Sequence, residues 1–239
     1  MSKKRTSEVV RQIINKVKGG PENNRVKIWF LLDRSGSMEL LAADVIGGFN
    51  QYVNDQAGSP RKARLTAVQF DGDNAFEVIC DARLIDDVPK LTSSIYVPRG
   101  MTPLYDAVGE LIRTADQRLV ARSERNEPKE DQLVIVFTDG CENASRNFDR
   151  TQVFDLINDR TDAGWTFVFM GANQDSYAEG RKIGMNDGNV QNYEASPESV
   201  EKAFASLSRA SLEYQANPSY MRSEIEYSFF GGVKEAEDA

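Results

Sequence analysis

Residues 25–38 read RVKIWFLLDRSGSM. The apolar side chains run almost without a break to Leu32 instead of alternating, the pattern of a parallel strand buried on both faces. The run stops at Asp33, and Ser35 and Ser37 follow at two-residue steps. An acid and two hydroxyls at the end of a buried strand put polar groups where a sheet opens onto a crevice, so the fold reading turns on this stretch.

Outward from it, apolar runs rich in β-branched residues alternate with segments of helical period. Residues 39–56 predict a helix with Leu41, Val45, Phe49 and Val53 on one stripe, and Gly47 and Gly48 allow close packing against a sheet. "RLTAVQFDGDNAFEVICD" predicts an antiparallel hairpin turning at residues 71–74. A short helical piece is expected near 86–93, and a longer helix over 102–121 with Val108, Leu111, Ile112 and Ala115 inward. "QLVIVFTDG" and "WTFVFMG" are further buried strands, and "NVQNY" is an edge-strand candidate. Between them, Asp149 and Gln152 have capping-box spacing for a helix over 149–163 closed by Gly164, and a short helix runs to about Gly184. A last helix starts at Ser196 and Pro197 and turns Val200, Phe204 and Leu207 inward. The order predicts an α/β fold: a doubly wound, mostly parallel sheet with one antiparallel edge strand and helices on both faces.

Composition narrows the chemistry. A formal charge of −8 over 239 residues argues against nucleic acid as a partner. The chain has no histidine, which excludes Ser–His–Asp and Cys–His catalysis and histidine-ligated zinc or iron within it. Cys80 and Cys141 have no zinc-site or redox-pair spacing, and the charged start "MSKKRTSEVV" has no apolar segment behind it. The apolar runs fall short of the ~20 residues a membrane helix needs, so no membrane insertion and a cytoplasmic protein are expected. Residues 1–24 read as a basic, helical N-terminal extension, 25–212 as the domain, and 213–239 as an acidic C-terminal tail with an aromatic cluster. The flanks are either docked or loose termini, or docking arms for a partner.

If the strands ending at Asp33 and Asp139 are neighbours, their backbones lie about 5 Å apart and two carboxylates share one crevice. A cation between them relieves the repulsion. Asp33, Ser35 and Ser37 set three oxygens on one side of an extended loop that Gly36 lets turn. Oxygen donors alone suit a hard cation, Mg2+ first, with Mn2+ or Ca2+ as alternatives. Thr102 stands before Pro103 and is expected to cap the following helix. Its hydroxyl either only caps or also faces the metal, and a positive helix end there favours an anion beside the cation.

Asp33, Ser35, Ser37, Thr102 and Asp139, within "DRSGSM", "GMTPLYDAV" and "TDGCENAS", match the complete metal-ion-dependent adhesion site of von Willebrand factor A (vWA) domains. The strings resemble the bacterial and intracellular branch of that family, and the likeness covers about residues 25–212. The resemblance implies a Rossmann-like six-stranded sheet. It also implies Ser35, Ser37 and Thr102 as direct ligands, with Asp33 and Asp139 acting partly through water. A divalent-metal-dependent protein-interaction module is implied, with a partner protein supplying an Asp or Glu to the metal. In this branch the partners include AAA-type ATPases and stress-response complexes. Cys141 has no metal role in the pattern. One alternative is an intracellular or viral scaffold with a structural metal. The other is a Mg2+-dependent phosphoryl-transfer enzyme, but Ser35 stands where such enzymes carry a second aspartate, and P-loop and G-x-G-x-x-G patterns are absent. The expectation is that the chain is not an enzyme.

Overall fold

The structure, a computed structural model, describes residues 25–59, 63–172, 175–225 and 227–237. The expected basic extension, 1–24, lies outside the described residues. Strand β1 is Val26–Asp33, buried along its whole length. Odd and even positions enter different cores: Ile28, Phe30 and Leu32 face one side of the sheet, Trp29 and Leu31 the other. That is why its apolar run is continuous.

Strands β2 (Arg64–Phe70), β3 (Glu77–Leu84), β4 (Asp131–Thr138), β5 (Thr166–Ala172) and β6 (Val190–Tyr193) complete a six-stranded sheet in the order β3-β2-β1-β4-β5-β6. The pairings β1–β2, β1–β4, β4–β5 and β5–β6 are parallel and β2–β3 is antiparallel, as expected. β1 pairs on one side with β2 and on the other with β4, so the strand order reverses between β1 and β4, where a crevice opens beyond the strand ends.

Helix α1 (Ala42–Ala57) and helix α5 (Pro197–Ala216) cover one face. Helices α2 (Leu104–Glu124) and α3 (Arg150–Thr161) cover the other, with the residues that follow the short α4 (Ser176–Lys182) packing there too. The capping box of Asp149 and Gln152 forms, Ser196 caps α5, and Gly164 and Gly184 end their helices at φ +87° and +88°.

Three local expectations change. The helix expected from 39 begins as a 3-10 turn, Gly36–Leu41, before α1. Only Ile85–Asp87 is helical in the 86–93 region, because Val88 precedes Pro89 and is held extended. Gly48 serves a neighbouring helix instead of the sheet, since a Cβ there would lie 2.1 Å from the Phe204 ring of α5. The division drawn at 212/213 falls inside α5, and beyond it helix α6 spans Ser219–Ile225. Phe229 and Phe230 are buried, the Phe229 N–H donates to Asn189 Oδ1 at 2.8 Å, and Glu237 accepts the edge-strand N–H of Asn192 at 2.6 Å.

One buried charge lies at the opposite end of β1 from Asp33. Lys27 is fully buried over the Trp29 ring, 4.6 Å from its centroid, and donates to Thr66 Oγ1. Burial, reinforced by Arg118, pushes its amine down to about 7 against the pull of Asp81 and Glu130. Between that value and the unfolded value near 10.5 the unfolded chain binds the extra proton, so this group's contribution to stability rises with pH through that window. Lys27→Met should therefore melt higher than wild type by several degrees (roughly 5 °C) at neutral pH, with the advantage shrinking toward pH ~10. Thr66 keeps the Ala82 N–H and Asp81 as partners, so the substitution orphans nothing there. Melting curves across that pH range check it; an advantage independent of pH would contradict it.

Candidate metal centre

β1 and β4 run in parallel register with Leu32 opposite Phe137, which brings Asp33 beside Thr138 and Asp139. Asp33 is fully buried and its carboxylate is held from two sides. The Ser35 N–H donates to Oδ1 at 2.7 Å and the Thr138 hydroxyl to Oδ2 at 2.5 Å. Ser35 Oγ and Ser37 Oγ are 3.1 Å apart, and Ser37 Oγ donates to Asp139 Oδ1 at 2.6 Å. Thr102 enters from the loop before α2. A Cβ on Gly140 would sit 3.0 Å from Thr102 Oγ1, 3.6 Å from Ser37 Oγ and 3.7 Å from Asp33 Oδ2. Oxygens from three separate segments thus converge on a small space that a glycine leaves open.

Burial pushes the Asp33 carboxyl up to about 6, with nearby Asp139 adding to the rise and the Thr138 and Ser35 donors opposing it. Burial raises Asp139 as well, against the Ser37 hydroxyl. Two carboxylates that resist ionising, beside three hydroxyls, form a donor set that a hard divalent cation fits. Among the described residues no group of three or more His, Cys, Asp and Glu is placed to hold a metal, so the fit depends on the hydroxyls.

The family model for the von Willebrand factor type A domain matches residues 27–205, well over half of the chain. This chain belongs to the von Willebrand factor type A domain family, a family of protein-interaction modules. Comparison with curated proteins gives no match. Among solved structures, the chain is similar to a von Willebrand factor type A protein from Catenulispora acidiphila: 13% identity, TM-score 0.55, 79% of this chain and 43% of that one. The pilus adhesin SpaC from Lactobacillus rhamnosus GG gives 15% identity and a TM-score of 0.56, over 82% of this chain and 31% of that one. Proximal thread matrix protein 1 from the mussel byssus gives 16% and 0.54, over 79% and 46%. These likenesses show the fold, and the chain spans less than half the length of each of the three.

In this VWA domain the helix behind Thr102 differs from expectation. Helix α2 starts at Leu104, and Pro103, at φ −82° and ψ 63°, stands outside it, so the Thr102 hydroxyl caps nothing. The loop after β4 supplies the cap instead. Glu142 Oε2 accepts the Tyr105 N–H at 2.9 Å and Ser145 Oγ accepts the Asp106 N–H at 3.0 Å. Glu142 of the chain itself therefore supplies an anion of the kind the helix end favours. Asn143 fixes Thr102 from both sides, its Oδ1 accepting the Thr102 N–H at 2.8 Å and its own N–H donating to Thr102 O at 3.1 Å.

Sequence reasoning missed this supporting set. Two buried tyrosines steady the strand ends, the Tyr96 hydroxyl donating to Asp33 O and the Tyr193 hydroxyl to Thr138 O at 3.0 Å. Residues 71–74 do form the hairpin turn, but Asp71 is fully buried and takes guanidinium donors from Arg34 and Arg99. A signal was present: Asp71 follows the buried run "AVQF" much as Asp33 follows "WFLL". The charged stretch "ARSERNEPKEDQ" carries the end of α2, through Glu124, and a buried pair, Arg122 Nε 3.3 Å from Glu130 Oε2. Cys141 is exposed and Cys80 buried, and neither is in a disulfide.

Proposed function

We propose that this VWA domain recognises another protein through a divalent cation held by Asp33, Ser35, Ser37, Thr102 and Asp139. The observation that supports the reading is the convergence of Thr102, Ser37 and Asp33 oxygens on the space beside Gly140. An all-oxygen set with hydroxyls beside two carboxylates suits Mg2+, with Mn2+ or Ca2+ as substitutes. When bound, the cation supplies positive charge and a position open to an Asp or Glu of the partner. The chain's own residues orient that position: the Ser35 N–H and the Thr138 hydroxyl aim Asp33, Ser37 braces Asp139, and Asn143 sets Thr102. No catalytic role is proposed.

We also propose a cytoplasmic setting in the bacterial or intracellular branch, with an AAA-type ATPase or a stress-response complex as the class of partner. The likeness of "DRSGSM", "GMTPLYDAV" and "TDGCENAS" to that branch supports this. None of the described helices is long and apolar enough to cross a membrane.

The test is affinity capture of partners in Mg2+ and in EDTA, repeated with Gly140→Ala, whose methyl would crowd Thr102 Oγ1. A partner retained only by wild type in Mg2+ is the expected outcome. A metal that raises the melting temperature yet leaves capture unchanged would assign it a structural role and defeat the proposal.

A further inference from the structure

The loops that carry the candidate ligands are far apart in the chain, and their spacing decides whether the oxygens converge. Main-chain bonds lay one loop along the other: Arg99 N–H to Arg34 O at 2.8 Å and Gly36 N–H to Gly100 O at 3.0 Å. Beneath both sits one carboxylate. Asp71 Oδ2 accepts from Arg34 Nε at 2.8 Å and from Arg99 Nε at 3.0 Å. Its Oδ1 accepts the N–H groups of Asp73 at 2.8 Å and Asn74 at 3.0 Å. Burial alone would raise this carboxyl, but the Asn74 and Asp73 N–H groups and the Arg34 guanidinium hold it below the usual range. The turn also presses on the second loop, since a Cβ on Gly72 would lie 2.9 Å from the N of Met101, the residue before Thr102.

We infer that Asp71 is a positioning residue for the metal centre, one that sets the distance between the Asp33–Ser37 loop and Thr102 by binding Arg34 and Arg99 to a single oxygen. The inference rests on the metal-binding reading above. Arg34 flanks Asp33 and Ser35 and is itself buried, so its guanidinium has little freedom once bound to Asp71 and, at 2.7 Å, to Glu77. Arg99 is half-exposed and plays the same part for the other loop, three residues before Thr102. Asparagine at position 71 serves poorly, because its NH2 must face either the arginines or the turn N–H groups, donor against donor.

A merely structural role is separated from a positioning one by the variants at half-exposed Arg99, which leave buried Asp71 paired with Arg34. Mn2+ affinity would be measured by calorimetry for wild type, Asp71→Asn, Arg99→Gln, Arg99→Lys and the surface control Arg113→Gln, alongside melting in EDTA. Outer residues that orient metal ligands are worth about 10–100-fold in affinity, so Asp71→Asn should weaken Mn2+ binding by at least ~10-fold and Arg99→Gln by roughly 5-fold. Arg99→Lys, which keeps a donor for Asp71, should recover most of the loss, and Arg113→Gln should match wild type. Arg99→Gln should melt within ~2 °C of wild type, because exposed ion pairs add little to stability. Wild-type affinity in both Asp71→Asn and Arg99→Gln would overturn this inference alone. Absence of Mn2+ binding by wild type would overturn the metal reading and this inference with it.

Discussion

Asp33→Asn should abolish measurable Mn2+ binding while the metal-free protein melts higher than wild type at neutral pH. The two effects share one cause. Asp33 is fully buried, and burial with Asp139 nearby lifts its carboxyl to about 6 from an unfolded value near 3.8. A carboxyl raised in the folded state binds its proton more tightly there, so its contribution to stability falls as pH rises from the unfolded value through about 6. Above that range the ionised group works against folding by up to roughly 3 kcal/mol. Asparagine removes that charge and keeps the shape and an acceptor for the Ser35 N–H or the Thr138 hydroxyl, so part of this returns as a melting temperature several degrees higher. The difference should shrink as pH falls below about 6 and vanish only below the unfolded value near 3.8, where both the folded and the unfolded carboxyl are protonated. Calorimetric titration and melting in EDTA at neutral and acidic pH read both effects. Mn2+ affinity within about threefold of wild type would remove Asp33 from the centre.

Gly48→Ala should be among the most damaging single-methyl changes in the domain. The added Cβ would lie 2.1 Å from Phe204 Cδ2 and 2.6 Å from Cγ and Cε2. The ring cannot retreat, since it is buried and stacks on Phe137 at 4.7 Å and Phe30 at 6.3 Å. Overpacking of this kind costs about 3 kcal/mol, against roughly 1 kcal/mol gained from alanine's better helix propensity. The net loss of about 2 kcal/mol should lower the melting temperature by roughly 4–8 °C for a domain of this size. Its neighbour supplies the contrast: a Cβ on Gly47 meets nothing within 4 Å, so Gly47→Ala should be neutral or stabilising. Equal effects from the two would contradict the packing argument.

The two glycines show where sequence reading stops. Both stand in the same expected helix and both predict close approach, but only the crossing of α1 and α5 distinguishes them. The helix behind Thr102 gives the same lesson. A threonine before proline has the composition of a cap, yet Glu142 and Ser145, from a loop far along the chain, reach the helix N–H groups first. Asp71 was legible as an acid after a buried run, but its four donors come from a turn and from two arginines on other segments.

The sequence by itself determined the layered α/β fold, the sheet's mixed direction and the identity of the candidate oxygens. Periodicity, strand-ending polar residues and cap spacing are local properties, written within a few residues of where they act. Only the tertiary structure decided that Thr102, Ser37 and Asp33 surround one point beside Gly140, and which groups hold them there. The pairing of β1 with β4, and the burial of Asp71 beneath two loops, depend on contacts between segments that no local pattern records. Such contacts are chosen by how whole faces pack and how buried charges find partners.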